Sequence, residues 1–171
     1  MRFLCALAFL TLAACGDDGP VDVAGTYALN FTSGANGCEL DGWTTGATAT
    51  NIQVDLVQTS GSPEVTGTVQ GVVGIYLSVI LKTNQLSGRV SGRDIDVLLT
   101  SLGEPLVMGQ CSFRYQLHLS GELNGDILTG TLDITTVTNG SPDCGNKEDC
   151  HSLETFNGSR PPSTARTATA N

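Results

Sequence analysis

Side chains able to do acid–base or nucleophilic chemistry are sparse in this sequence. The 171 residues include two histidines, His118 and His151. Neither lies in a G-x-S-x-G or H-E-x-x-H motif, the local patterns that place a nucleophile or a zinc ion beside its base. His118 falls on the polar side of an alternating segment, which favours a solvated position on a strand. We therefore predict no catalytic residues, and a hydrolase is the least favoured of the functions considered below.

Oxygen-bearing side chains cluster in a short segment near the end of the chain. Asp143, Asn146, Glu148 and Asp149 lie within residues 141–150. Carboxylate and amide oxygens at such spacing can bind Ca²⁺. The segment lacks the EF-hand pattern, however, and acidic turns are common on solvated surfaces. The sequence thus offers a weak calcium candidate and indicates no cofactor.

The first fifteen residues have the pattern of an export signal. Arg2 precedes an apolar stretch, residues 3–12, that is too short to be a transmembrane helix. The tetrapeptide LAAC at 12–15 resembles the lipobox of bacterial lipoproteins. The resemblance implies cleavage before Cys15 and acylation of that cysteine, with chains such as palmitate. Two or more chains anchor a protein stably to a membrane.

The resemblance also implies a location in the cell envelope. In lipoproteins an acidic residue directly after the cysteine favours the inner membrane, and here Gly16 occupies that position. The expected location is therefore the outer membrane. The predicted organisation is a signal peptide (1–14), a lipidated tether (15–22), a β-domain (23–159) and a disordered C-terminal tail (160–171).

Four further cysteines favour disulfide bonds in an exported chain. They are Cys38, Cys111, Cys144 and Cys150, and four cysteines allow three connectivities. We favour Cys144–Cys150, which closes a small turn-rich loop, together with Cys38–Cys111. Structural zinc sites usually contain C-x₂₋₄-C pairs, which are absent here.

Alternation of apolar and polar residues dominates the remaining sequence. Phe113, Tyr115, Leu117 and Leu119 alternate with polar neighbours, and a period of two residues indicates a β-strand. Residues 72–81 are apolar on both faces, so we predict a buried strand there. Further runs of the strand type are 26–31, 52–56, 65–69, 86–90, 94–100, 128–137 and 153–156.

The runs are joined by short segments rich in Gly and Asn, which favour tight hairpins. About eight strands connected in this way can close on themselves. We therefore predict an all-β fold, an antiparallel up-and-down barrel, with a β-sandwich as the alternative. The pattern is similar in architecture to the small barrels of lipocalins and streptavidin, although the lipocalin G-x-W motif is missing near the first strand.

Barrels of this size either fill with side chains or hold one small ligand. From the apolar faces of the predicted strands we select five candidate lining residues. They are Ile75, Leu77, Phe113, Tyr115 and Leu117. The alternative is that these residues simply form the core.

These observations lead to a ranked set of functional hypotheses. The first is a membrane-anchored envelope lipoprotein that acts as a non-catalytic structural or interaction module. The second is a carrier of a small apolar ligand in the barrel lumen, and the third is an envelope hydrolase. The expected partners are the membrane, through the lipid anchor, and an envelope protein or a small apolar ligand. Nucleic acid is excluded because the formal net charge is −9.

Overall fold

The structure, a computed structural model, describes residues 19–162. The predicted signal peptide, the lipidation site Cys15 and residues 163–171 of the predicted tail lie outside the described residues. The β-branched and alternating runs form strands, as their period requires. The elements are β1 (Gly25–Asn36), β2 (Thr48–Gln58), β3 (Glu64–Val69), α1 (Gly71–Ile80), β4 (Gln85–Ser91), β5 (Asp94–Thr100), β6 (Leu106–Met108), β7 (Cys111–Asn124), β8 (Ile127–Thr138), a 3₁₀ helix (Pro142–Lys147) and β9 (His151–Ser159).

Eight of these strands close into an antiparallel barrel. Each strand pairs with its neighbours in chain order, β5 pairs with β7, and β9 returns to pair with β1. The strand β6 is additional and pairs with the start of β7. The predicted up-and-down barrel is therefore confirmed, and the sandwich alternative is wrong because the closing pairs leave one continuous sheet.

The inward faces of the strands follow the predicted alternation. Tyr27, Leu29 and Phe31 of β1 are buried, as are Ile95, Val97 and Leu99 of β5. Together with similar residues of the other strands they form the main hydrophobic cluster of the barrel. The period of two thus places the apolar face of these strands inside.

One end of the barrel is plugged by the segment that enters β1. Val23 and Tyr27 are completely buried, and the Tyr27 hydroxyl donates to the Val23 carbonyl at 3.0 Å. The Val23 amide donates to Oε1 of Gln58, and the Val21 amide donates to the Gly92 carbonyl. Val21 therefore belongs to the folded domain, and the predicted tether, 15–22, extends too far at its C-terminal end.

The same end is sealed by Arg160, which we predicted to begin a disordered tail. Its side chain is buried and its Nε lies 3.0 Å from Oδ1 of Asp126. Its Nη1 donates to the Ala24 carbonyl at 2.8 Å, and its guanidinium lies 5.5 Å from the centre of the Tyr27 ring. The prediction is wrong at Arg160 because a residue next to a Pro-rich segment can still supply a specific side-chain contact.

The open end of the barrel carries α1, where the sequence predicts a strand. That prediction is wrong. Eight other strands close the barrel, so a further strand would find no unpaired strand edge with which to form hydrogen bonds. A helix forms its backbone hydrogen bonds within itself. Gly74 is buried against β3, where a Cβ would lie 2.0 Å from the Val69 carbonyl oxygen. Only glycine permits the helix to pack this closely. Among residues 19–162, no helix has the length and apolarity needed to cross a membrane.

Two disulfide bonds staple the loops at the open end. They join Cys38 to Cys150 and Cys111 to Cys144. Two disulfides were expected, but the predicted pairing, Cys38–Cys111 with Cys144–Cys150, is wrong. The barrel places the end of β1 beside the start of β9, and the start of β7 beside the end of β8. The pairing of the strands therefore determines which cysteines meet.

Candidate ligand-binding site

Beneath α1 the barrel interior contains an apolar chamber of about 250 Å³. Val73 and Leu77 of the helix form its roof, and inward-facing side chains of the strands form its walls. An apolar cavity smaller than this one holds a benzene molecule in an engineered protein. The strand residues of the wall include Phe31, Ile52, Val54, Leu86, Leu99, Leu119 and Leu132.

A second space, the vestibule, lies between α1 and residues 37–47, the connection from β1 to β2. Its volume is about 490 Å³, and its lining includes Leu40, Asp41, Trp43, Ile80 and Tyr115. The chamber and the vestibule adjoin, because they share four lining residues: Tyr76, Leu77, Leu117 and Ile134.

The outer wall of the vestibule is held by contacts that involve β9. The Cys38–Cys150 disulfide joins the wall to the residue before β9, and the Cys38 amide donates to the hydroxyl of the buried Ser152. That hydroxyl donates in turn to Oδ1 of Asn36, which also accepts from the Leu40 amide. These buried polar groups satisfy one another and so fix the position of the wall.

One carboxylate lies among the apolar residues of the chamber. Glu154 lies on the inward face of β9, between Ser152 and Phe156, and is partly buried. Its Oε1 accepts a hydrogen bond from the Ser33 hydroxyl at 2.8 Å. Ser33 lines the vestibule, so this pair lies where the two spaces meet.

Tyr115 contributes an uncharged polar group to the vestibule. Burial raises the pKa of its hydroxyl above the ordinary value of 10.0, and the carboxylate of Asp41 raises this pKa further. Its ring contacts Phe113 edge to face, with centroids 5.6 Å apart. At neutral pH Tyr115 is therefore a protonated phenol that can donate or accept a hydrogen bond.

Three of the five predicted lining residues line the two spaces, and two do not. Leu77 and Leu117 line both spaces, and Tyr115 lines the vestibule. The prediction for Ile75 is wrong, because this residue is 67% exposed on the outer side of α1. Residues two apart point to one side of a strand, but on a helix they are about 200° apart and so point to opposite sides. The prediction for Phe113 is also wrong, since this residue packs with the Cys111–Cys144 disulfide in a separate cluster.

Sequence reasoning missed several residues of the site. One is Trp43, in the connection from β1 to β2: its indole Nε1 donates to the Gly34 carbonyl at 3.0 Å, and the residue lines the vestibule. Glu154 could have been found, because it occupies an inward position in the alternation of β9. Tyr76 and Val73 could not, since their positions depend on the helical conformation of α1.

The four residues of the calcium candidate do not converge. Asp143 accepts a hydrogen bond from the Gln110 amide at 2.8 Å, whereas Asn146 donates to Glu39. Within residues 19–162 no group of three or more His, Cys, Asp or Glu side chains is arranged to hold a metal ion. The Asp143 carboxylate instead links the β6–β7 turn to the 3₁₀ helix.

A serine, a histidine and an aspartate meet on the outer surface of β5 and β7. His118 Nε2 lies 2.8 Å from Asp96 Oδ2 and 3.4 Å from Ser120 Oγ. In a Ser-His-Asp triad the two ring nitrogens contact different partners. Here one nitrogen makes both contacts, so this cluster lacks the geometry of a triad. His151 forms a separate pair, with Nδ1 at 2.7 Å from Asp133.

Large apolar side chains are exposed on the outer side of α1, in the loop before β6 and in β6 itself. The Leu102 amide donates to the Leu81 carbonyl, which joins the loop to the end of the helix. Apolar patches of this kind mark interaction sites in many proteins. Its exposed residues, here called the outer apolar face, are Val72, Ile75, Val79, Ile80, Leu102, Leu106 and Val107.

No family model, curated protein or solved structure matches this chain.

Proposed function

We propose that this protein is a lipid-anchored protein of the bacterial cell envelope that binds a small apolar ligand inside its barrel. The observation that carries the proposal is the apolar chamber beneath α1, which adjoins the vestibule at Leu117 and Ile134. Ligand sites are concave, mostly apolar and furnished with a few polar groups. The Glu154–Ser33 pair and the Tyr115 hydroxyl are such groups. Neither membrane anchoring nor ligand binding requires catalysis, so we propose a non-catalytic function.

The described chain joins the barrel at the end opposite the chamber mouth. The chain enters β1 at the plugged end, whereas α1 and residues 37–47 lie at the open end. A 12-residue strand such as β8, tilted as in small barrels, spans roughly 30 Å. A tether from Cys15 to Val21 reaches at most about 20 Å. The mouth of an anchored molecule would therefore lie on the side of the barrel away from its own membrane.

The binding function is tested with 1-octanol and the chain's single tryptophan, Trp43, as the reporter. We expect saturable changes in Trp43 emission when 1-octanol is added to the full chain carrying Cys15→Ala, which needs no detergent. Ile134→Phe should weaken this binding about tenfold, because losing the burial of two methylenes costs about 1.6 kcal/mol.

The matched control for this experiment is Val137→Phe. Val137 lies on the same strand as Ile134 but is 52% exposed on the outside of the barrel. Its replacement should leave the octanol affinity within about twofold. Equal affinities of the wild-type, Ile134→Phe and Val137→Phe proteins would contradict binding in the chamber.

The anchor is tested by the position of the protein after export. Cys15 is expected to carry acyl chains, each contributing about 0.8 kcal/mol per buried methylene to membrane binding. The wild-type protein should sediment with membranes, and Cys15→Ala should be released to the soluble fraction. Membrane association that survives Cys15→Ala, or a mature chain with no added acyl mass, would contradict the lipoprotein assignment.

A second candidate function is the interaction module, which the outer apolar face favours. Val72, Val107 and Leu102 are more than 70% exposed, and large apolar side chains exposed in such number favour a partner. The face adjoins the vestibule, because Ile80 belongs to both.

A further inference from the structure

The charged side chains that line the chamber and the vestibule all have one sign. Glu154 lines the chamber and Asp41 lines the vestibule. Among the described residues, neither lining includes a lysine, an arginine or a histidine. The whole chain carries 17 acidic and 8 basic residues, so the long-range field is also negative.

The Glu154 carboxylate retains an unused acceptor oxygen. Its Oε1 accepts from the Ser33 hydroxyl at 2.8 Å, but Oε2 accepts no hydrogen bond from any residue between 19 and 162. An ionised carboxylate can accept about four hydrogen bonds. Next to apolar walls, its attraction for a cation is stronger than it would be in water.

The position of this oxygen sets the orientation of a bound molecule. Ser33 lines the vestibule and Glu154 lines the chamber, so their pair marks the junction of the two spaces. A ligand whose apolar tail fills the chamber would place its polar head at this junction. An anionic head would meet Glu154 and then Asp41, with no lining cation to compensate, and such like-charge contacts exclude ligands.

We propose that the ligand is an amphipathic amine, with an apolar tail in the chamber and a cationic, hydrogen-bond-donating head held by Glu154, while Asp41 adds negative charge in the adjoining vestibule. Fatty carboxylates of the same length are rejected. This inference rests on the proposed ligand-binding function and adds the chemical class of the ligand. Tyr115 assists as a neutral group that can accept from the head.

The test compares three ligands with the same tail: octylamine, 1-octanol and octanoate. Their affinities are measured at neutral pH by Trp43 emission on the full chain carrying Cys15→Ala. We expect octylamine to bind about tenfold more tightly than octanoate. Glu154→Gln should reduce this ratio about tenfold, and Asp41→Asn, at an exposed position, should reduce it by a smaller factor.

The matched control is Glu64→Gln, which removes an equal charge from an exposed residue at the plugged end. This variant should leave the amine-to-carboxylate ratio unchanged. A ratio near one in the wild-type protein, or an equal fall in Glu64→Gln, would overturn the inference while octanol binding left the proposed function intact. Binding of none of the three ligands would overturn both. If Glu154→Gln fails to fold, the wild-type ratio and Asp41→Asn decide.

Discussion

Replacing Cys38 and Cys150 together by serine is expected to lower the free energy of unfolding by about 5 kcal/mol. The bond spans 112 residues, and its loss returns the corresponding loop-closure entropy to the unfolded chain. Replacing Cys111 and Cys144, which are 33 residues apart, should cost about 4 kcal/mol. Chemical denaturation of the two double variants and the wild-type protein measures both values.

The pairing itself can be read by peptide mapping without reduction. Trypsin cleaves after Lys82, Arg114 and Lys147, so the four cysteines fall in four different peptides. The structure predicts that the Cys38 peptide is linked to the Cys150 peptide. A link between the peptides of Cys38 and Cys111, or four free thiols in the mature protein, would contradict it.

Arg160→Ala is expected to destabilise the barrel by about 3 kcal/mol. The substitution ends the ion pair with Asp126 and the hydrogen bond to the Ala24 carbonyl, and it removes the cation above Tyr27. Loss of a buried cation that makes several contacts has effects of this size. Thermal and chemical unfolding should both report the change.

Two further variants separate the geometry of Arg160 from its charge. Arg160→Lys keeps the charge but cannot make both hydrogen bonds, so an intermediate loss is expected. Arg89→Ala removes an exposed arginine on β4 and should change stability by less than about 0.5 kcal/mol. Equal stabilities of Arg160→Ala and Arg89→Ala would show that the plugged end does not depend on Arg160.

The barrel could be predicted because most of its strands bury one face. The alternation in residues 113–119 and 94–100 fixes which side chains point inward, and β7 and β5 follow it. Residues 72–81 have no such alternation. A short run that is apolar on every side fits a buried strand and a helix equally well. The run forms the helix α1 because the other strands already close the sheet.

The site was less accessible to sequence reasoning than the fold, because it depends on contacts between distant segments. The disulfide partners follow from strand neighbours: Asn36 of β1 lies opposite Ser152 of β9, which brings Cys38 to Cys150. Spacing along the chain carries no such information. Leu77 was assigned correctly to the interior although its predicted strand is a helix, since a roof helix and a strand can both present it inward.

The proposed function requires an apolar ligand space in the barrel interior beneath α1. A crystal structure of the Cys15→Ala chain under xenon pressure locates this space, because xenon enters apolar cavities that side chains do not fill. We expect xenon in the chamber, between Leu77 and Leu117. A chamber filled by collapsed side chains, with no xenon beneath the helix, would contradict it.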